Sequence, residues 1–237
     1  MASQRKQTGF TLIEIAIVLV IIGLLLGGIL KGQELITSAR VRSLISQQDG
    51  IKASFYGFQD RFRALPGDYS QAGTNIQMTT TGANANGNGN GRIDGTTPDE
   101  TILVWEHLSK SGFINGNYVY NATISDTNTP KNAYGQYVEL GYDANYYILT
   151  GGVAAVSTVN RHNLKTGNQI PVEIVAEVDR KIDDGNGATG SFVFSVYTTP
   201  TGTAPTAPGA APNCMSTAGA WNLVGQTAIN CGGSSLM

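Results

Sequence analysis

Charge is scarce in this 237-residue chain. Lys, Arg, Asp and Glu together make up 14% of it, about half the usual share of a soluble domain. With a formal net charge of −2, a broad basic surface for nonspecific phosphate binding is excluded. Histidine and cysteine occur twice each. His107 and His162, with Cys214 and Cys231, have no spacing that holds zinc. The chain also lacks a phosphate-cradling glycine loop and a nucleophile constellation, so an enzyme is not expected. His107 falls in a helical stretch and reads as a surface or packing residue. His162, in a polar Arg-His-Asn stretch, reads as loop. Arg161, Lys165, Arg180 and Lys181 would touch DNA only if gathered on one face. Glu173, Glu177, Asp179, Asp183 and Asp184 lie among them and argue for a mixed, solvated surface, so no nucleic-acid partner is expected. The two cysteines are either buried thiols or a disulfide. A chain that begins with a membrane segment and enters an oxidising compartment favours the disulfide. Its loop of about 17 residues is worth ~3 kcal/mol in the chain-entropy account.

What the chain has in quantity is glycine, 30 residues, with frequent Asn, Thr and Ser, the composition of a neutral, loop-rich domain of the extracellular kind. The N-terminus differs. Residues 1–9 are polar and carry Arg5 and Lys6, and residues 10–30 read FTLIEIAIVLVIIGLLLGGIL. That run reaches the ~20 apolar residues a bilayer core requires, and its basic flank predicts a cytoplasmic N-terminus. A secretory signal has a shorter apolar core followed by a small-residue cleavage site, whereas this run continues unbroken into an amphipathic stretch. Glu14 stands inside it, where a carboxylate costs roughly 2.5–3.5 kcal/mol by insertion scales. A simple anchor has no use for that cost, so a partner charge is expected.

The segment Gly9-Phe10-Thr11-Leu12-Ile13-Glu14 resembles the processing site of type IV prepilins and type II secretion pseudopilins. The resemblance implies that a membrane prepilin peptidase cuts after Gly9 and methylates the new amine of Phe10. It also implies that Glu14, fifth in the mature chain, meets the terminal amine of a neighbouring subunit. A carboxylate one turn along a helix cannot easily fold back to its own amine, but a staggered neighbour brings the two charges together away from water. Many type IV pilins carry a proline further along this helix. Here Lys31-Gly32 occupies that region, after Gly23, Gly27 and Gly28, which either loosen the helix by about 1 kcal/mol each or let helices approach closely. The implied function is structural: a subunit of a type IV pilus or secretion pseudopilus. Its implied partners are copies of itself or related pilins in a helical fibre, the peptidase and an inner-membrane assembly platform. The implied location is the inner membrane as precursor, then a periplasmic or extracellular fibre. The alternative class is a minor or tip pilin whose head binds a surface or takes up DNA.

Helical periodicity continues beyond the membrane segment. Ile36, Leu44, Ile51, Phe55, Phe58 and Phe62 form an amphipathic stripe, and Pro66-Gly67 stops it. A helix over residues 10–64 would be ~80 Å long, too long for one head to bury, so its first half needs lipid or other copies of itself. The expected fold is α+β: a long N-terminal α-helix with a membrane-spanning first half, packed on an antiparallel β-sheet head of residues 65–237, as in type IV pilins. Residues 74–94 read as an exposed polar excursion. Residues 98–112 and 171–182 read as helices, with Pro98 at the first position of the former. Residues 118–124, 136–141, 145–150 and 191–198 read as strands, and residues 201–212 as a linker. Leu65-Pro66-Gly67-Asp68, Glu100…Trp105…Leu108 and Ile182-Asp183-Asp184-Gly185…Gly190 resemble the heads of a group of prepilin-type proteins.

Asn86, Asn88 and Asn90 stand at alternate positions before Gly91, Arg92, Ile93 and Asp94, which resembles the start of an EF-hand-type loop. The calcium ligands would be the side chains of Asn86, Asn88, Asn90 and Asp94 and the Arg92 carbonyl, with Ile93 pointing into the head. Thr97 stands where a bidentate Glu is expected, and Asp99 or Glu100 would have to substitute. With three amide ligands, weak affinity near the millimolar range is expected. A plain Asn-Gly turn without an ion is the alternative. Asp183-Asp184-Gly185-Asn186 is a second acidic turn, read foremost as a helix C-terminal turn.

Overall fold

The computed structural model describes residues 11–95, 98–197, 205, 213–223 and 228–237. The leader with Gly9 and Phe10, Thr97 and, apart from Pro205, the 201–212 linker lie outside these residues. The chain divides into two units, Met1–Ala39 and Arg40–Met237. In the first, the described residues from Leu12 onward are helix α1, which spans Leu12–Phe62.

In the second unit α1 buries Val41, Leu44, Gln48, Ile51, Ser54, Phe55 and Phe58. Apart from Ser54, their spacing alternates three and four, a single stripe along the helix. The expected stripe is therefore shifted at its ends: Ile36 is exposed and Phe62 half-buried. The stop is also earlier. Arg63 takes the left-handed conformation (φ 53°) with its amide still bonded to the Gln59 carbonyl, the geometry of a helix C-terminal cap. Pro66-Gly67 shapes the turn that follows.

After α1 come α2 (Ala72–Asn75), a 3-10 turn (Gly82–Ala85) and α3 (Glu100–Lys110). Asp99, not Pro98, opens α3: its Oδ1 accepts the Thr101 amide at 3.0 Å, the N-cap arrangement. The remaining elements are β1 (Glu139–Asp143), β2 (Tyr147–Thr150), β3 (Val153–Val156), β4 (Arg161–Lys165), α4 (Val172–Ile182), β5 (Phe192–Phe194) and β6 (Gly233–Leu236). β1, β4, β6 and β5, in that spatial order, form an antiparallel sheet, and β2 and β3 a separate hairpin across Gly151-Gly152. The layout is thus α+β, a long N-terminal helix with an antiparallel sheet, the pilin-like arrangement.

Two of the four sheet strands depart from the sequence reading. β4 contains the Arg-His-Asn stretch taken for a loop. β6 is Gly-Ser-Ser-Leu, which carries no strand pattern. It lies between β4 and β5 because its residues are small: a Cβ on Gly233 would come within 2.1 Å of the Phe192 ring. Residues 118–124 are irregular rather than extended. Residues 74–94 are mostly exposed, as expected, but Ile76, Ala85 and Ile93 are buried and anchor the excursion to the core.

The core has two parts. One gathers Ile51, Phe55 and Phe58 with Val104, Trp105 and Leu108 of α3 and Leu140 of β1. The other gathers Val41 and Leu44 with Ile174, Val175 and Val178 of α4, Phe192 and Phe194 of β5, and Trp221. Cys214 and Cys231 form a disulfide in this second part. Ile170 and Cys231 exchange backbone hydrogen bonds of 3.1 and 2.9 Å, which fasten the bridge to the segment entering α4.

Candidate functional site

The first candidate surface is the start of α1. Every residue from 11 to 31 is exposed, and apart from Glu14 and Lys31 these side chains offer apolar or small surface on all sides. A helix apolar all round demands an apolar surrounding. Glu14 is not without a partner in the single chain. Its Oε2 accepts the Thr11 amide and the Thr11 hydroxyl, both at 2.7 Å, and the Thr11 Oγ1 accepts the Glu14 amide at 3.4 Å. This reciprocal pattern is a capping box, legible in Thr-x-x-Glu though absent from the reading above. It satisfies the carboxylate within its own chain.

The second is the junction of Leu65-Pro66-Gly67-Asp68 with residues 86–94. Asp68, which local spacing could not reveal, accepts the Asn90 amide on Oδ1 (2.9 Å) and the Gly91 amide on Oδ2 (2.8 Å). Glu100, wholly buried, accepts the Asn88 amide on Oε1 (2.8 Å) and the Asp94 amide on Oε2 (3.2 Å). Burial, opposed by these amides but reinforced by Asp68 and Asp94, pushes the Glu100 carboxyl up to about 7. The five residues expected as calcium ligands make the following contacts. Asn86 turns its Oδ1 to the Gly73 amide (2.8 Å). Asn88 and Asn90 accept the amides two residues on, at 2.9 and 2.8 Å, and Asn90 also donates to Asp94 Oδ2 at 3.1 Å. The Arg92 guanidinium lies over Tyr142. Asp99 is occupied as the α3 cap, so of the two acids expected as substitutes only Glu100 reaches the loop. Close approach makes glycine obligatory at this junction. Gly67 has φ 90°, and a Cβ on Gly87 would lie 2.2 Å from the Gly67 carbonyl oxygen.

His107 belongs to the same junction and is fully buried. Its Nδ1 accepts the Gly67 amide at 2.9 Å, so Nε2, 3.1 Å from the Ala85 carbonyl, carries the proton. Burial lowers its pKa from 6.5 to about 4, against smaller opposing effects of Ala85 and Glu106. The folded value is the lower one. The contribution of the neutral ring is therefore present above 6.5 and lost as the pH falls from there towards 4. Glu100, raised to about 7, acts in the opposite direction, so the histidine is isolated by difference. Between pH 7 and 4 the stability advantage of the wild type over His107→Gln should shrink by about 3 kcal/mol, measured by urea unfolding in detergent micelles. A constant advantage would contradict this role. His162 lies on β4, not in a loop, with its ring 4.9 Å from that of Tyr142.

Of the four basic residues considered above, one is buried and two pair with an acid. Arg161 is exposed on β4, while Arg180 and Lys181 pair with Glu177 at 2.8 and 3.0 Å. Lys165 is buried, its ammonium bonded to Glu139 and, at 2.5 Å, to Asp143 Oδ2. Burial alone would lower its pKa, but the two carboxylates hold it above the ordinary lysine value. At the end of α4, Asp179 is buried beside Asp183 and Asp184.

Residues 4–30 match the family model described as the prokaryotic N-terminal methylation motif, which is the prepilin-type motif. No curated protein and no solved structure matches the chain. The motif ends within the apolar first part of α1.

Proposed function

We propose that this chain, which carries a prepilin-type motif, is a structural subunit of a type IV pilus or type II secretion pseudopilus. In this reading it is cut after Gly9, methylated at Phe10 and polymerised through α1. The observation that carries the reading is the coincidence of the motif at residues 4–30 with a helix exposed at every residue from 11 to 31. Burying one Leu or Ile side chain is worth about 1.5–3 kcal/mol, so this surface has to be covered. Lipid covers it in the precursor, and the helices of neighbouring pilins cover it in a fibre. The prepilin peptidase and an assembly platform are the further partners of this pathway. Proteins with this motif are structural subunits rather than enzymes, and no catalytic role is assigned to the head.

Processing is tested by intact-mass measurement of subunits from sheared fibres and from membranes. The assembled chain should begin at Phe10 and carry one added methyl group. Assembled subunits that retain Met1 or Ala2 would overturn the reading.

A further inference from the structure

An antiparallel sheet that meets only water on one face is ordinarily polar there. Successive side chains of a strand point to opposite faces. Leu164 of β4 and Phe192 and Phe194 of β5 pack into the two cores that α1 joins. Arg161 and Val193 therefore belong to the sheet face turned away from α1. So does Leu236, which stands opposite Asn163, the neighbour of Leu164. Two of these three are apolar. With residues of the β2–β3 hairpin, of the segment after it and of 188–190 they line a groove of about 260 Å³. Its aliphatic lining is Ile148, Leu149, Val159, Val193 and Leu236. The polar groups of the wall are turned to one another. The Val159 carbonyl accepts the Tyr146 hydroxyl at 2.7 Å and the Ser157 hydroxyl at 3.2 Å, and the Ala188 carbonyl accepts the Leu149 amide at 2.9 Å. Leu149 and Val159 are 39% and 54% exposed, so hydrocarbon seated here takes apolar surface out of water.

The independent observation is Arg161. It is the only charged residue among the described residues that line the groove. Asp143 stands directly across from it on β1, but gives its carboxylate to Lys165 at 2.5 Å and to Asn163 at 3.1 Å. No Asp or Glu among the described residues forms an ion pair with Arg161. A guanidinium presents a planar fork that fits a carboxylate through two parallel hydrogen bonds. Elsewhere along the groove, at Thr189 and Gly190, an anion would meet like charge. Asp184 accepts the Thr189 hydroxyl at 2.5 Å, and a Cβ on Gly190 would come within 2.2 Å of an Asp183 oxygen. The orientation of a ligand follows, with its anionic head at Arg161 and its hydrocarbon over Val193 and Leu236. The groove is smaller than the roughly 300–1,000 Å³ of a pocket for a drug-sized ligand, which suits part of one aliphatic chain and not a two-chained lipid.

We propose that this groove binds a fatty acid, with its carboxylate on Arg161 and its chain along Leu149, Val159, Val193 and Leu236. The site lies wholly in the Arg40–Met237 unit, so its failure would leave the fibre reading untouched.

The test uses the full chain in nanodiscs of zwitterionic phosphatidylcholine and palmitic acid that carries a photoreactive diazirine, with cross-links mapped by peptide mass spectrometry. The apolar start of α1 meets the same acid in the bilayer, so its labelling is the internal reference. In the wild type, residues 146–161 and 188–193 should be labelled. Relative to α1, Arg161→Gln should lower that labelling about tenfold, the weight of one charge-assisted pair. Val159→Glu, which sets an acid in the groove wall, should lower it as much. Both positions are exposed, and both variants should keep the wild-type thermal midpoint. Arg180→Gln, whose native partner is Glu177, should label like the wild type. The corresponding diazirine alcohol, which lacks the charge, should label the groove about tenfold less than the acid. A wild-type groove without label overturns the site. So does labelling that Arg161→Gln and Val159→Glu leave unchanged, or equal labelling by acid and alcohol. Labelling by a two-chained diazirine phosphatidylglycerol and not by the acid also overturns it, and would assign the groove to bilayer lipid.

Discussion

Lys165→Met should destabilise the Arg40–Met237 unit by roughly 3–5 kcal/mol, the cost of removing one side of a buried ion pair. Methionine keeps most of the lysine stem and removes the ammonium. Glu139 and Asp143, whose side chains are 17% and 28% exposed, then stay partly desolvated without a counter-charge. The effect has a pH signature. In the wild type, burial raises the Asp143 pKa, but Lys165 and the local hydrogen bonds outweigh it and hold the carboxyl below its ordinary range. Its contribution is therefore present above the unfolded value and lost as the pH falls through the folded one. In the variant, burial of Asp143 loses its main opponent, so protonation costs the fold less and the gap to wild type should narrow below about pH 4. Urea unfolding of both chains in micelles, at neutral and acid pH, measures this. Adding Glu139→Gln and Asp143→Asn to Lys165→Met should recover much of the loss. A loss below about 1 kcal/mol for Lys165→Met would show that the triad is not a structural charge cluster.

Glu14→Ala should reduce the share of subunit found in sheared fibres at least tenfold while leaving membrane insertion intact. Insertion gains from the change, because an intramembrane carboxylate is removed. In the proposed fibre, assembly loses, because the amine created by cleavage would no longer meet a carboxylate on the neighbouring helix. A one-sided loss of a desolvated pair is worth roughly 3–5 kcal/mol, well over a factor of ten in any equilibrium it governs. The capping box supplies the control. Thr11→Ala removes the hydroxyl that bonds Glu14 but keeps the carboxylate, and losing such a cap costs about 1 kcal/mol. Fibre yield should therefore fall much less in Thr11→Ala than in Glu14→Ala. Equal losses would mean that Glu14 acts on its own helix rather than on a neighbour, and a normal yield from Glu14→Ala would contradict the pairing altogether.

The sequence by itself revealed the prepilin-type motif and the apolar helix that follows it. A run of apolar residues behind a short basic leader, interrupted by one carboxylate, is a local pattern whose meaning depends only on transfer energies and on the spacing of a processing motif. The amphipathic stripe of α1, the helix over 172–182 and the aromatic strand at 192–194 were legible for the same reason: each is written in the period of its own side chains. The cysteine pair was legible because few residues separate its members.

Tertiary structure alone decided the rest. β6 is a strand because β4 and β5 offer it backbone partners and Phe192 leaves room only for glycine at Gly233, which no alternation of Gly-Ser-Ser-Leu announces. Lys165 reads as a surface cation until β1 places Glu139 and Asp143 beside it, 26 and 22 residues away in sequence. Asp68 is remote from the asparagine loop in sequence, yet it holds that loop, and Asp179 accepts the indole N–H of Trp221, 42 residues further on. The division is physical. Helix and membrane signals add up over neighbouring residues, whereas buried charge and sheet pairing depend on groups that folding alone brings together.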